Sequence, residues 1–106
     1  MTAFDEREKA FEDKFKHDQD LNFRIQARRA KLAGLWAADL LGLEGQDAVA
    51  YARQVVETDM EEPGVNDIVR KIHGDLIRKG VDISEHRVEK EMERLLEEAK
   101  IQVCTQ

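Results

Sequence analysis

The fold is decided by the stretch LNFRIQARRAKLAGLWAADLLGL, residues 21–43, in which large apolar side chains recur at helical spacing. The apolar row consists of Leu21, Ile25, Leu32, Trp36 and Leu40. Positions three or four apart, or multiples of that, lie on one side of a helix, so the row predicts a helix over about residues 21–41 with Trp36 largely buried. Gly42 stands where a left-handed residue ends a helix, and Leu43 follows as its apolar contact.

The rest of the chain repeats this pattern three times. We predict helices over about residues 46–61, 65–79 and 84–103. Their inward rows are Ala48, Ala52, Val55, Val56 and Met60, then Ile68, Val69, Ile72, Leu76 and Ile77, then Val88, Met92, Leu95, Leu96, Ala99 and Val103.

Short loops join these segments, and residues that cap or break helices lie at their ends. Pro63 prevents the second helix from extending, Gly80 can cap the third, and Asp82 or Ser84 can cap the fourth. Because short loops favour antiparallel neighbours, we predict an all-α protein whose residues 20–106 form a four-helix bundle.

Composition excludes several classes of protein. The chain has 106 residues, enough for one domain, and a net charge of −6, which argues against binding to nucleic acid or membrane surfaces. Cys104 is the only cysteine, which excludes an internal disulfide and suits a reducing compartment. The sequence has no long apolar run and no signal-peptide pattern, so we expect a cytoplasmic protein without membrane insertion.

The first nineteen residues do not continue the bundle pattern. Phe4, Phe11 and Phe15 fall at i, i+7 and i+11 among charged residues, a stripe too narrow for a core helix. The apolar helical periodicity of this stripe is interrupted across residues 17–20. We predict an N-terminal arm over residues 1–19, flexible or partly helical and largely disordered when the monomeric protein is free. The arm either anchors a partner, or folds back as an extension of the first helix.

Catalytic chemistry is not apparent. The three histidines have no partner at metal-ligand spacing, Cys104 has no nearby base, and the glycines do not form a phosphate loop. We therefore predict neither an enzyme nor a metal site. Arg24, Arg28 and Lys31, at i, i+4 and i+7, form a basic ridge. This ridge is either a solvated face that meets the acidic second helix or a contact for an anion or nucleotide.

Three blocks of sequence together carry a resemblance to a known family. They are the run AFEDKF at residues 10–15, the block ARRAKL at residues 27–32 leading into GLWAA at residues 34–38, and the turn EEPG at residues 61–64. In this order they resemble the zeta subunits of alphaproteobacterial F-type ATP synthases. The resemblance covers essentially the whole chain and implies a four-helix bundle with a protruding N-terminal arm.

The resemblance also implies a function. It points to a regulator that inhibits ATP hydrolysis by the catalytic head of the synthase, with the arm between catalytic and rotor subunits and the bundle as anchor. The inhibitory segment would run from Thr2 to about Lys14, with an inhibitory surface made of Phe4, Asp5, Arg7, Phe11, Lys14 and Phe15. No cofactor is expected beyond weak ATP or ADP binding. The alternative is a small adenine-nucleotide sensor that inhibits nothing, motivated by the basic ridge.

Overall fold

The chain folds into four α-helices. A computed structural model describes the backbone of residues 3–61 and 64–105 and the side chains of residues 17–61 and 64–105. In chain order the helices are α1 (Ala3–Leu40), α2 (Gly45–Glu61), α3 (Val65–Arg78) and α4 (Glu85–Cys104). The residues within these described ranges form no strand. The predicted all-α fold with four helices is confirmed.

The first helix is much longer than the sequence predicted. It begins at Ala3 rather than near residue 21, and its 38 residues span about 57 Å, against about 30 Å for the 20 residues of α4. Residues 3–20 contain neither Gly nor Pro, so the backbone can stay helical although the apolar row changes face. Among the described side chains, Leu21 is the first that packs in the core, and residues 17–20 are exposed.

Neighbouring helices run antiparallel. Arg28 in the middle of α1 donates a hydrogen bond to Gln102 near the end of α4, while Arg87 near the start of α4 lies over the ring of Trp36. The order of contacts is therefore reversed along the two helices. This arrangement follows from the short loops between successive helices.

The core is built on small residues of α1. Ala30, Ala33, Ala37 and Ala38 are almost inaccessible to solvent and pack against the large side chains of the other helices. The most enclosed of those large side chains are Ile68, Ile72, Leu76, Met92, Val55, Val69 and Val88. Small residues allow α1 to approach its neighbours closely, so the predicted row of large side chains lies beside the core rather than at its centre.

Three predictions about burial are wrong. The residues assigned to inward rows that are instead exposed are Leu40, Met60 and Ile77. Trp36, expected to be largely buried, has an intermediate exposure and packs against the core.

The signals predicted for the end of α1, the end of α3 and the start of α4 are confirmed. Gly42 and Gly80 have φ of 78° and 88°, the left-handed conformation that glycine adopts without strain. The N–H of Leu43 donates to the carbonyl of Ala38 at 2.9 Å, as expected for a helix that ends at such a glycine. At the start of α4, the Ser84 hydroxyl accepts a hydrogen bond from the N–H of Arg87 at 3.0 Å.

The helices do not have the character of membrane spans. Within the described part of the chain, none combines the length and the apolar content that crossing a bilayer requires.

Candidate functional site

The residues assigned to the inhibitory arm lie on the N-terminal part of α1. The backbone is helical from Ala3, which is the conformation that the spacing of Phe4, Phe11 and Phe15 requires to place them on one face. Their side chains lie outside the described residues, as do those of Asp5, Arg7 and Lys14. Their role as an inhibitory surface therefore stays a prediction.

The residues of the basic ridge do come together in one concave surface. Arg24, Arg28 and Lys31 line an open cleft of about 340 Å³, and the other lining residues are Phe23, Ala27, Val56 and Val103. The cleft lies where α1 meets α2 and the end of α4. For Arg24 and Lys31, the described residues supply no carboxylate within ion-pair distance. These two cations are therefore available to an external anion.

Arg28 is held in place by α4. Its Nη1 donates a hydrogen bond to Oε1 of Gln102 at 2.8 Å, and Nε2 of Gln102 donates to Glu98 at 3.0 Å. The guanidinium is partly buried, unlike the exposed side chains of its two neighbours on the ridge. It therefore supplies a positioned positive charge at the wall of the cleft.

The cleft continues along the junction of α1 and α2 toward the end of α1. There a second concavity of about 480 Å³ shares Lys31 and Val56 and adds Leu35, Val49, Ala52 and Arg53. We call the surface formed by these two concavities the α1–α2 groove.

A third concavity of about 500 Å³ shares only Phe23 with this groove, and its other lining residues are Asn22, Gln26, Asp59, Met60 and Gly64. Asn22 and Gln26 lie about half a turn around α1 from Arg24 and Arg28, so this concavity is on another side of the helix.

Exposed apolar side chains line the α1–α2 groove. Phe23 and Val49 have 61% and 53% of their surface accessible. Leu35 and Val56 are partly buried beside them. Since each such side chain gains roughly 1.5–3 kcal/mol when it is fully buried, this surface holds binding energy that the isolated chain does not use.

A buried arginine lies next to the third concavity. Arg29 is 9% exposed, its Nη2 donates to Gln26, and its Nε finds no hydrogen-bond partner among the described residues. Burial lowers the pKa of this guanidinium, while the charge of Asp59 opposes that change. Burial likewise raises the pKa of Asp59, opposed by the N–H of Gly64 and the charge of Arg29. Arg29 and Asp59 thus partly compensate each other across α1 and α2.

Two further polar clusters stabilise the bundle. The Tyr51 hydroxyl of α2 donates to Asp75 of α3 at 2.8 Å, and the ammonium of Lys71 lies 3.2 Å from the same carboxylate. Burial raises the pKa of Asp75, but the hydrogen bonds from Tyr51, Lys71 and Arg78 outweigh it and hold the pKa below its ordinary value. These groups satisfy one another, so we assign them to structure rather than to a site.

The second cluster surrounds a buried carboxylate of α4. The side chain of Glu91 is only 4% exposed and accepts hydrogen bonds from Arg87 at 3.1 Å and from Nε of Arg94 at 2.8 Å. The hydrogen bonds from Arg94, followed by those from Arg87, lower the pKa of Glu91 against the opposing effect of burial. Glu91 stands on a helix with many exposed glutamates, and the sequence does not indicate that this one is buried, so sequence analysis missed it.

A metal ion has no candidate site in the described residues. They contain no group of three or more His, Cys, Asp or Glu side chains that could hold one. His73 is used within the fold, where its Nε2 lies 3.0 Å from the carbonyl oxygen of Ile83. The α1–α2 groove combines cations with apolar surface, which suits the binding of an acidic or amphipathic partner.

Comparison with known proteins identifies the family. No curated protein sequence matches the chain. A protein of known structure, determined by solution NMR, is 44% identical, covers 80% of this chain and 96% of its own length, and superposes with a TM-score of 0.70. The family profile described as ATPase inhibitor subunit zeta matches residues 1–102, nearly the full length. The chain therefore belongs to the ATPase inhibitor subunit zeta family.

Proposed function

We propose that this protein is a regulatory, non-enzymatic subunit that inhibits ATP hydrolysis by the catalytic head of an F-type ATP synthase. The family description supports an inhibitory role in general. The observation that carries the proposal is the length of α1, which begins at Ala3, whereas the first described core contact is made by Leu21. About 27 Å of helix thus precedes the bundle, long enough to enter a cleft between two subunits of a partner.

In this proposal the arm, residues 1–19, supplies the inhibitory contact. It enters the interface between catalytic and rotor subunits, and Phe4, Phe11 and Phe15 bind there as apolar anchors. Each phenylalanine contributes roughly 1.5–3 kcal/mol when it is fully buried. Asp5, Arg7 and Lys14 pair with charged groups of the partner around those anchors.

The bundle, residues 20–106, holds the arm in position. We propose that it remains folded and monomeric when free in the cytoplasm, while the helical arm, which is marginally stable as an isolated helix, becomes fully ordered on binding. Coupling of ordering to binding costs affinity but leaves the inhibitor easy to release, which suits a regulator.

A second candidate function has one observation in its favour. Arg24, Arg28 and Lys31 line a single cleft together with the exposed ring of Phe23, a combination suited to a phosphate group and a stacked adenine. In that case the protein is an adenine-nucleotide sensor without inhibitory activity.

Two titrations test these proposals. The first adds the full chain to a purified catalytic head and follows ATP hydrolysis, for which we expect saturable inhibition. The second adds ATP or ADP to the isotope-labelled protein and follows the amide NMR signals of residues 21–43. Inhibition without amide shifts at about millimolar nucleotide supports the inhibitor and removes the sensor, whereas shifts without inhibition support the sensor.

A further inference from the structure

We infer that the α1–α2 groove is a docking site for an acidic amphipathic helix of a partner protein. The inference deepens the proposed function, on which it rests for placing that helix on the catalytic head. It gives the bundle a contact of its own, separate from the N-terminal arm.

The dimensions of the groove fit a helix. On α1 its lining residues run from Phe23 to Leu35, and on α2 from Val49 to Val56. At 1.5 Å per residue these segments span about 18 Å and about 10 Å, equivalent to about two to three turns of a docked helix. A helix laid in such a groove uses apolar anchors at i, i+3, i+4 and i+7.

The apolar surface lies where those anchors would bind. Phe23 is exposed at one end of the groove and Val49 at the other, with Val56 between them. These side chains come from both helices, so an incoming helix would contact α1 and α2 together. Their burial supplies the affinity of the complex.

The charges along the groove specify an acidic partner. Arg24, Arg28, Lys31 and Arg53 line it, in a protein whose net charge is −6. The three cations of α1 are spaced about one turn apart, as carboxylates at i, i+4 and i+7 of a partner helix would be. For Arg53, as for Arg24 and Lys31, the described part of the chain offers no carboxylate within ion-pair distance. Complementary charges would fix the orientation and speed association.

The lining of the groove consists of cations and apolar residues. Asp59 belongs to the third concavity, near Gly64, and the neighbouring charge of Arg29 partly compensates it. An acidic helix would therefore bind along the groove rather than near Asp59.

The first test uses a synthetic peptide and the full-length labelled protein, and does not depend on ATPase inhibition. The probe is a helix of about four turns with leucines on one face and glutamates elsewhere, and its control carries lysines in place of the glutamates. We expect the acidic peptide alone to shift the amide signals of Lys31, Arg53 and Val56. Equal binding of both peptides, no binding, or shifts confined to another surface would overturn the inference.

Charge-reversal variants test whether the groove cations are responsible. Lys31→Glu with Arg53→Glu should weaken binding of the acidic peptide at least about tenfold, because both side chains are exposed and their reversal leaves the core intact. The matched control is Arg70→Glu with Lys90→Glu, an exposed arginine and lysine outside the groove. Equal loss of affinity in both double variants would indicate an effect of net charge and contradict docking in the groove.

The same variants, tested against the catalytic head, separate this inference from the proposed function. If wild type inhibits and the groove variant inhibits with unchanged affinity, the function stands and the docking site is overturned. If wild type fails to bind the head but binds the acidic peptide in the groove, the docking chemistry stands and its assignment to the head is overturned.

Two other possible occupants of the α1–α2 groove would give different results in binding experiments. Concentration-dependent dimerisation that Lys31→Glu with Arg53→Glu abolishes would assign the groove to a second copy of this chain. Shifts of the groove signals with ATP, in a protein that does not bind the acidic peptide, would assign it to a nucleotide. Either result would overturn the inference.

Discussion

Gly34 of α1 lies so close to Ala52 of α2 that a Cβ atom at position 34 would be 2.6 Å from the Cα of Ala52. Such a distance is too short for two carbon atoms, and the atom in the way belongs to the backbone. The two helices therefore pack at this point through a glycine and an alanine, which fixes the close contact that forms one wall of the α1–α2 groove.

The first prediction follows from this contact. Gly34→Ala should lower the free energy of unfolding by about 1–2 kcal/mol, because overpacking outweighs the gain of about 1 kcal/mol in helix propensity. Gly74→Ala is the matched control, since the nearest atom there is 3.4 Å away and belongs to the flexible end of Arg78. It should stabilise the protein by up to about 1 kcal/mol. Urea unfolding followed by circular dichroism measures both, and equal stabilisation would contradict the close contact.

The second prediction concerns the link between α2 and α3. Tyr51→Phe removes the hydrogen bond to Asp75 and leaves a partly buried carboxylate with one donor fewer. We expect a loss of about 1–2 kcal/mol in the free energy of unfolding. Thr58→Val is the control, because it removes an exposed 3.0 Å hydrogen bond to the carbonyl of Gln54 and should cost clearly less. Equal costs in the two variants would show that the Tyr51–Asp75 bond contributes no more than a surface contact.

Sequence periodicity predicted which segments are helical but not which face of α1 is buried. The helix ends at Leu40, at Glu61 and near Arg78 follow from local signals, chiefly Gly42, Pro63 and Gly80. The buried face of α1 depends on packing between helices. Periodicity gives most weight to large side chains such as Trp36, whereas the closest approach selects alanine and glycine.

The candidate site was predictable in part. The spacing of Arg24, Arg28 and Lys31 identified the three cations that α1 contributes to the groove. Its other wall could not be foreseen, because Arg53 and Val49 lie on α2 and reach the site only through the antiparallel packing of α1 and α2. The buried charge of Glu91 was missed for a different reason. Its partners Arg87 and Arg94 are one turn away on the same helix, but the sequence does not show that the carboxylate between them is buried.

The third prediction is a pH dependence set by Glu91. Its pKa in the folded protein lies below the ordinary value of 4.5, so the unfolded chain takes up the proton first as the pH falls. The stability it contributes is present above about pH 4.5 and is lost as the pH falls through the folded-state pKa. Glu91→Gln should reduce the free energy of unfolding by about 1–3 kcal/mol at neutral pH and flatten its decline between about pH 5 and pH 3.

Glu93→Gln provides the control for Glu91. The side chain of Glu93 is 70% exposed and pairs with Lys90 at 3.5 Å, an ion pair screened by solvent. We expect the variant to follow the wild-type pH profile, with the remaining acid sensitivity supplied in part by Asp75. A Glu91→Gln profile as steep as that of Glu93→Gln would mean that Glu91 does not stabilise the fold through its charge.

The last prediction separates inhibition from folding. If the arm supplies the inhibitory contact, Phe4→Ala with Phe11→Ala removes two anchors that precede the first described core contact, at Leu21. The thermal unfolding of the bundle should hardly change, while the concentration needed to inhibit ATP hydrolysis by the catalytic head should rise at least about tenfold. Ile101→Ala, which shortens a 58% exposed apolar side chain of α4 outside the groove, should leave inhibition unchanged. Equal potency of all three proteins would move the inhibitory contact from the arm to the bundle. A lowered melting temperature of the double variant would mean that Phe4 and Phe11 pack within the fold rather than against a partner.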